Sequence, residues 1–239
     1  MSASMRLTNS TAHAQSVERN WFRHAVFVKS ADAMHDLPIE SIAEVAFAGR
    51  SNAGKSSALN ALVERRGLAI VSKTPGRTRH INYFGMGDAC FIVDLPGYGY
   101  AQVPGPMRDH WRELLSTYLQ RRQVLRGLVL VMDARHPLTA LDARMLDWFS
   151  ARDQPVHLLM TKSDKLTKQQ STVKLREVEG RLRTDYPRCS VQLFSSSTGA
   201  GVEEARSIVY RWLAQPSVAT DTMPEVQKEA PAEGESDRG

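Results

Sequence analysis

The chain predicts an α/β fold: a mostly parallel six-stranded sheet with one antiparallel strand and helices on both faces. Three observations carry this expectation. Apolar runs of strand length alternate with apolar faces at helical spacing along most of the chain. The run Leu128-Val129-Leu130-Val131-Met132 is apolar throughout, as a parallel strand buried on both faces requires. And Val45-Ala46-Phe47-Ala48 leads through a glycine-bounded loop straight into a helical pattern, the layout of one strand–loop–helix unit.

The 239 residues suffice for one α/β domain with flanking extensions. An apolar content of 42% and a charged content of 24% place the chain among ordinary globular proteins rather than disordered or membrane-spanning ones. No uninterrupted apolar stretch approaches the length of a membrane span, and the N-terminus lacks a signal-peptide pattern, so a cytoplasmic location is expected. Cys90 and Cys189 each lie in a strand-like run and read as buried thiols, with no disulfide framework or cysteine metal site. The net charge of +5 hides an asymmetry: residues 215–239 carry six acids and two bases, which leaves +9 on the remainder. A body that basic suits a polyanionic partner.

Residues 1–24 are polar and weakly periodic and read as a flexible arm, although Trp21-Phe22 and Ala25-Val26-Phe27-Val28 are apolar enough to pack on the core or add a strand. Asp36-Leu37-Pro38 marks a turn before the strand at 45–48. After the first helix, Lys73-Thr74-Pro75-Gly76-Arg77-Thr78-Arg79-His80 is a basic loop that turns too often to be regular. Ile81-Asn82-Tyr83-Phe84 and Ala89-Cys90-Phe91-Ile92-Val93 flank a Gly85-Met86-Gly87-Asp88 turn and form an antiparallel hairpin. Trp111, Leu114, Leu115, Tyr118 and Leu119 recur at helical spacing and predict a helix over 107–122. Beyond Leu128-Met132, a helix presents Leu141, Met145, Trp148 and Phe149, and Val156-Met160 is the next strand. A charged helix over 167–183 turns Val173, Val178 and Leu182 inward, Ser190-Phe194 is a strand, and the last helix puts Ala205, Val209 and Trp212 on one face. The domain therefore spans 25–214, and 215–239, rich in Pro, Glu, Ala and Ser, is too polar to build a core and reads as a disordered acidic tail.

The loop Gly49-Arg50-Ser51-Asn52-Ala53-Gly54-Lys55-Ser56, followed by Ser57, has the spacing of a phosphate-binding P-loop. Its glycines let backbone N–H groups curl around phosphate oxygens, Lys55 supplies a cation to the β- and γ-phosphates, and the Ser56 hydroxyl suits Mg²⁺. In such sheets ligands bind at the carboxyl ends of the strands, so the other strand-end loops belong to the same site. Asp94-Leu95-Pro96-Gly97 is a D-x-x-G loop, in which Asp94 faces the Mg²⁺ shell and Gly97 the γ-phosphate. Thr161-Lys162-Ser163-Asp164 selects the base, because a carboxylate accepts the adjacent N1–H and N2–H₂ donors of guanine and adenine offers no such pair. Sites built around such polar pairing discriminate by roughly 10⁴. Phe194-Ser195-Ser196 closes the base pocket, with the Ser196 N–H toward guanine O6. Within the basic loop, Gly76, Arg77, Thr78, Arg79 and His80 are nucleotide contacts and Thr78 is the switch residue for Mg²⁺ and the γ-phosphate, with Thr74 as its rival. These motifs in this order describe a P-loop GTPase domain that binds GTP or GDP with Mg²⁺.

The fuller set of motifs is more specific. Gly49-Ser57, Lys73-Thr74-Pro75-Gly76-Arg77-Thr78, Asp94-Leu95-Pro96-Gly97-Tyr98-Gly99-Tyr100-Ala101, Asp133-Ala134-Arg135-His136-Pro137 with Leu141-Asp142, and Thr161-Lys162-Ser163-Asp164-Lys165 together resemble the EngB family of bacterial ribosome-biogenesis GTPases. The resemblance covers 27–213. It implies a role in assembling the large ribosomal subunit, with a link to cell division. With the basic body and the switch loop, a nucleotide-gated assembly factor acting on rRNA of the subunit or its precursor rather than on DNA, and monomeric off the ribosome, is expected. Asn52 matches the asparagine with which related GTPases hold K⁺ beside the phosphates, so Lys55, Thr78 and Asn52 are the expected catalytic residues and Ser56, Thr78 and Asp94 the Mg²⁺ ligands. Tyr98 occupies the position where Ras-like GTPases carry a water-orienting glutamine, and intrinsic turnover near or below about 10⁻⁴ s⁻¹ follows. The alternative is a nucleotide-binding switch with little hydrolysis and a protein partner. Arg65-Arg66, Lys73, Arg77, Arg79-His80, Arg121-Arg122 and Arg126 are the candidate phosphate contacts to rRNA.

Overall fold

The structure, a computed structural model, describes residues 2–69, 80–98 and 105–215. Its elements run α1 (Ser2–Arg23), β1 (Val26–Ala31), a 3₁₀ turn (Met34–Asp36), β2 (Ala43–Gly49), α2 (Lys55–Leu62), β3 (Ile81–Gly85), β4 (Cys90–Asp94), α3 (Gly105–Arg121), β5 (Leu125–Asp133), α4 (Ala140–Ser150), β6 (Val156–Thr161), α5 (Lys168–Asp185), β7 (Cys189–Leu193) and α6 (Val202–Ala214). The strands form a seven-stranded sheet in the order β1-β3-β4-β2-β5-β6-β7. β3 runs antiparallel to both its neighbours, and the remaining pairs are parallel.

The expected six strands become seven because Val26–Ala31 pairs along β3, with Phe27 opposite Phe84 and Ala31 opposite Ile81. It is an edge strand whose Val26, Phe27 and Val28 stay about half exposed, so it lacks the clean burial alternation that announces a strand in sequence.

Period-two alternation builds two cores from the same strands. Ala46 and Ala48 of β2, Leu128, Leu130 and Met132 of β5, and Leu158 and Met160 of β6 face α3, α4 and α5. Val45 and Phe47, Val129 and Val131, and Leu159 face α1, α2 and α6. Gly127 interrupts β5 where the Trp212 indole of α6 lies against the backbone; a Cβ there would meet the ring at 2.6 Å.

Several side chains sit differently from their sequence pattern. Trp148 and Val173, expected inward, are 39% and 49% exposed, so α4 and α5 rest on narrower stripes than their periodicity suggests. Cys90 is buried and Cys189 only partly so, and both are free thiols.

Where the sequence suggests a flexible arm, the chain forms α1, and its last turns pack against α6. Phe22 is fully buried, and Trp21 meets Tyr210 edge to face with ring centroids 5.2 Å apart. Glu64 gathers Arg19, Arg23 and Arg206 around one carboxylate. Arg206, 1% exposed, also donates to the Leu62 and Ala61 carbonyls, satisfying the last turn of α2. The tail from 216 onward lies outside the described residues.

Candidate nucleotide site

The parallel strands β2, β4, β5, β6 and β7 deliver Gly49, Asp94, Asp133, Thr161 and Leu193 to one edge of the sheet, and the candidate residues collect on the loops that follow. Register fixes their neighbours. Phe47 pairs with Asp94, Gly49 with Val131, and Asp133 with Thr161.

The first loop leaves β2 at Gly49, where a Cβ would come within 2.7 Å of the Val131 carbonyl oxygen. Close backbone approach therefore explains the first glycine. Gly54 has φ +96° in the left-handed region and caps α2, which begins at Lys55. This turn aims the N-terminal N–H groups of the helix across the loop, the arrangement that binds phosphate. Asn52, exposed, also has a positive φ of 63°. The Lys55 ammonium is buried and ion-paired with Asp94 at the end of β4. Ser56 lies one residue into the same helix turn.

The D-x-x-G segment is laced to this loop by backbone. Leu95 N–H donates to the Phe47 carbonyl, Tyr98 N–H to that of Gly49, and Ser51 N–H to that of Tyr98. Leu95 and Pro96 are buried beneath it, and Gly97 packs against Ser51.

Thr161 is buried and bonds the carbonyls of Ala53 and Met132, tying β6 to the phosphate loop. Lys162, at φ 58°, folds back over the loop and donates to the Asn52 carbonyl at 2.7 Å and to Asp133 at 3.0 Å. Asp133 also accepts from the Arg135 backbone and guanidinium. Burial alone would raise this carboxyl, but the bonds from Arg135 and Lys162 outweigh it and hold Asp133 well below the usual carboxylate range.

Asp164 accepts a 2.7 Å bond from Ser195 Oγ and faces Lys165, and these hold its carboxyl below its ordinary value, so it presents an ionised acceptor. Ser195 is buried, Ser196 is exposed beside it, and the Phe194 carbonyl takes both the N–H and the hydroxyl of Ser163. The two halves of the base-reading arrangement thus share direct bonds.

The basic loop fares differently. Gly76, Arg77, Thr78 and Arg79 lie outside the described residues, as do Lys73 and Thr74, and His80 is exposed 3.4 Å from an Asp32 carboxylate oxygen. Three proposed rRNA contacts are engaged within the domain. Arg122 is paired with Glu44 and bonded to the Pro38 carbonyl, Arg65 donates to the Ala25 carbonyl, and Arg126 to that of Ile42. Glu44 is fully buried beneath Tyr83 and Tyr118, so the role of Arg122 is to neutralise a core carboxylate.

Asp142 belongs to none of the phosphate- or base-binding motifs, yet it reaches the site. It is completely buried, accepts from the N–H and hydroxyl of Thr139 at the start of α4, receives the Tyr98 hydroxyl at 2.8 Å, and lies 3.3 Å from Arg50 Nε. Arg50 further donates to the His136 carbonyl. Thr139-x-x-Asp142 is legible as a helix-start signal, but its connection to Tyr98 across 44 residues is not.

The donor set fits Mg²⁺ and a nucleoside triphosphate. The Lys55 ammonium and the Asp94 carboxylate pair beside the loop N–H groups, and Ser56 follows Lys55 in the first turn of α2. That suits a cation held jointly by a few protein oxygens, water and phosphates.

The chain is similar to known proteins along most of its length. The family described as 50S ribosome-binding GTPase matches residues 44–162. A protein of Nitrosomonas europaea described as a probable GTP-binding protein EngB is 59% identical over 191 residues, which is 80% of this chain and 86% of that one. Proteins of the same description are 51% identical in Nitrosomonas eutropha (90% of this chain, 98% of that one) and 53% identical in Neisseria meningitidis serogroup B (81% and 93%). A crystal structure of a probable GTP-binding protein engB superposes with a TM-score of 0.58 at 19% identity, covering 72% of this chain and 98% of that one. Aquifex aeolicus Era bound to GDP and aluminium fluoride gives 0.59 at 20% identity, covering 74% and 58%. At such identities the structural likenesses establish the fold.

Proposed function

The chain belongs to the EngB family of GTP-binding proteins, and on that premise we propose that it is a slow GTPase that gates assembly of the large ribosomal subunit by its nucleotide state. The observation that carries this reading is the convergence, within the matched 44–162 segment, of the glycine-bounded loop, the Lys55–Asp94 pair and the Lys162 brace. Asp164, two residues beyond it, supplies the guanine acceptor. Lys55 and the loop N–H groups bind and orient the phosphates, and Asp94, Ser56 and Thr78 would hold a Mg²⁺ ion that would supply charge neutralisation to the phosphates. Asn52 supports a K⁺ beside the same phosphates. The basic body suits rRNA of the subunit or its precursor. The protein works in the cytoplasm as a monomer off the ribosome, and through ribosome supply supports normal cell division. Among the described residues no helix is long and apolar enough to cross a membrane.

A second reading, a switch with little hydrolysis and a protein partner, is favoured by one observation: the Tyr98 hydroxyl is committed to Asp142 and does not serve an attacking water. Turnover measurements decide between them. GTP hydrolysis with and without purified large subunits, in K⁺ and in Na⁺ buffers, should rise with the large subunit and more so in K⁺. Rates indifferent to both would overturn the first reading.

A further inference from the structure

Behind the base-reading turn lies a buried polar chain that the nucleotide site does not itself use. His157 in β6 is 2% exposed and sits between two side chains of β7, with Nδ1 2.7 Å from Ser190 Oγ and Nε2 2.8 Å from Gln192 Oε1. The Gln192 amide nitrogen donates to the Gly201 carbonyl at 2.7 Å and, more weakly, to that of Leu193. Its oxygen therefore accepts, so His157 carries its proton on Nε2 and accepts the Ser190 hydroxyl on Nδ1. Burial pulls the imidazole down to about 4, against a smaller upward push from Gln192, and the ring is neutral at physiological pH.

Gly201 is where this chain meets the site. It caps α6 at φ +76°, and a Cβ there would collide with the Leu193 carbonyl and the Gln192 amide, so the turn closes directly on the end of β7. The residues before it form a tight loop. Ser195 N–H donates to the Ala200 carbonyl and Gly199 N–H to that of Ser195, both at 2.9 Å. From that loop Ser195 Oγ reaches Asp164. Between the imidazole and the carboxylate, every step is a hydrogen bond or a covalent neighbour.

We propose that His157 is a positioning residue for guanine recognition, holding Gln192 so that it anchors Gly201 and thereby sets the 195–200 turn against Asp164. This rests on the reading of Asp164 as the acceptor for guanine N1–H and N2–H₂. The Gly201 carbonyl turns the Gln192 nitrogen toward itself, and neutral His157 completes that orientation by donating its Nε2–H to the amide oxygen on the other side. Without the His157 donor the Gln192 oxygen is left buried and unpaired, which weakens the hold of the amide on the Gly201 carbonyl and lets the turn shift.

The test compares GDP with IDP, which lacks the 2-amino group, by equilibrium binding to the full chain. The wild type should prefer GDP by at least about tenfold, the worth of one well-placed hydrogen bond. His157→Leu and Gln192→Met should each lower the GDP/IDP ratio severalfold, while His157→Gln, which keeps a donor near the Nε2 position, should restore it. A purely structural role would lower the melting temperature of His157→Leu and leave the ratio of the folded fraction unchanged, and that result would overturn the proposal. If His157→Leu does not fold, Gln192→Met decides by the same ratio. A wild type that fails to distinguish GDP from IDP would instead refute Asp164 as the base reader, a separate outcome.

Discussion

The Tyr98 hydroxyl donates to Asp142 Oδ1 at 2.8 Å, and this bond joins the segment after Gly97 to the first turn of α4. Burial and the adjacent carboxylate push the phenol far above its ordinary pKa, so it remains a donor at any accessible pH. Arg50 of the phosphate loop flanks the same carboxylate at 3.3 Å. Tyr98→Phe removes one of the donors to a buried carboxylate and should cost about 1–3 kcal/mol, read as a lower denaturant midpoint. Because the hydroxyl is engaged with Asp142, single-turnover GTP hydrolysis should stay within about twofold of wild type. Loss of hydrolysis with unchanged stability would mean that the phenol serves the reaction directly.

Lys55→Ala should weaken GTP binding by about a hundredfold or more, since a charge-assisted contact contributes up to roughly 3 kcal/mol. It also leaves Asp94, 3% exposed, without its cation. Fluorescence titration with a labelled GTP analogue checks this, and retained affinity would remove Lys55 from the phosphate site.

At Asp164, the Asn variant replaces one acceptor oxygen with a donor. Guanine then meets a mismatch and xanthine, with a carbonyl at position 2, a match. Binding should shift from GDP toward XDP, and competition between the two nucleotides measures it.

Gly127→Ala places a methyl within 2.6 Å of the Trp212 ring, forcing α6 off β5 or the indole off its rotamer. A loss of about 1–3 kcal/mol is expected from such overpacking. An unchanged thermal midpoint would show that the helix accommodates the methyl freely.

His157 also gives stability a pH dependence. Its folded pKa of about 4 lies below the ordinary 6.5, so in the window between them the unfolded chain binds a proton that the folded chain refuses. The contribution is complete above about 6.5 and lost as pH falls toward 4, up to roughly 3 kcal/mol in all. His157→Gln should flatten stability across this window relative to wild type in urea titrations.

What could be read in advance followed the range of the interactions. The glycine-bounded loop and the alternation in β2, β5 and β6 are local patterns, and Gly49–Lys55 and the two-sided cores appear where those patterns put them. α1 was hidden because its sequence is polar and its anchors are distant: Glu64 and Tyr210 hold Arg19, Arg23 and Trp21 from elsewhere in the chain. β1 was ambiguous because an edge strand keeps its apolar side chains half exposed. Arg122 resembled a surface cation until buried Glu44 claimed it, and no spacing within either segment signals that pair. The Asp142–Tyr98 and His157–Gln192 bonds are likewise products of strand order.

The most direct test of nucleotide-gated ribosome assembly is sedimentation of the purified protein with ribosomal subunits at moderate salt, comparing a non-hydrolysable GTP analogue with GDP. The account predicts co-sedimentation with the large subunit in the GTP-like state and release with GDP. Equal association in both states, or none in either, would contradict it.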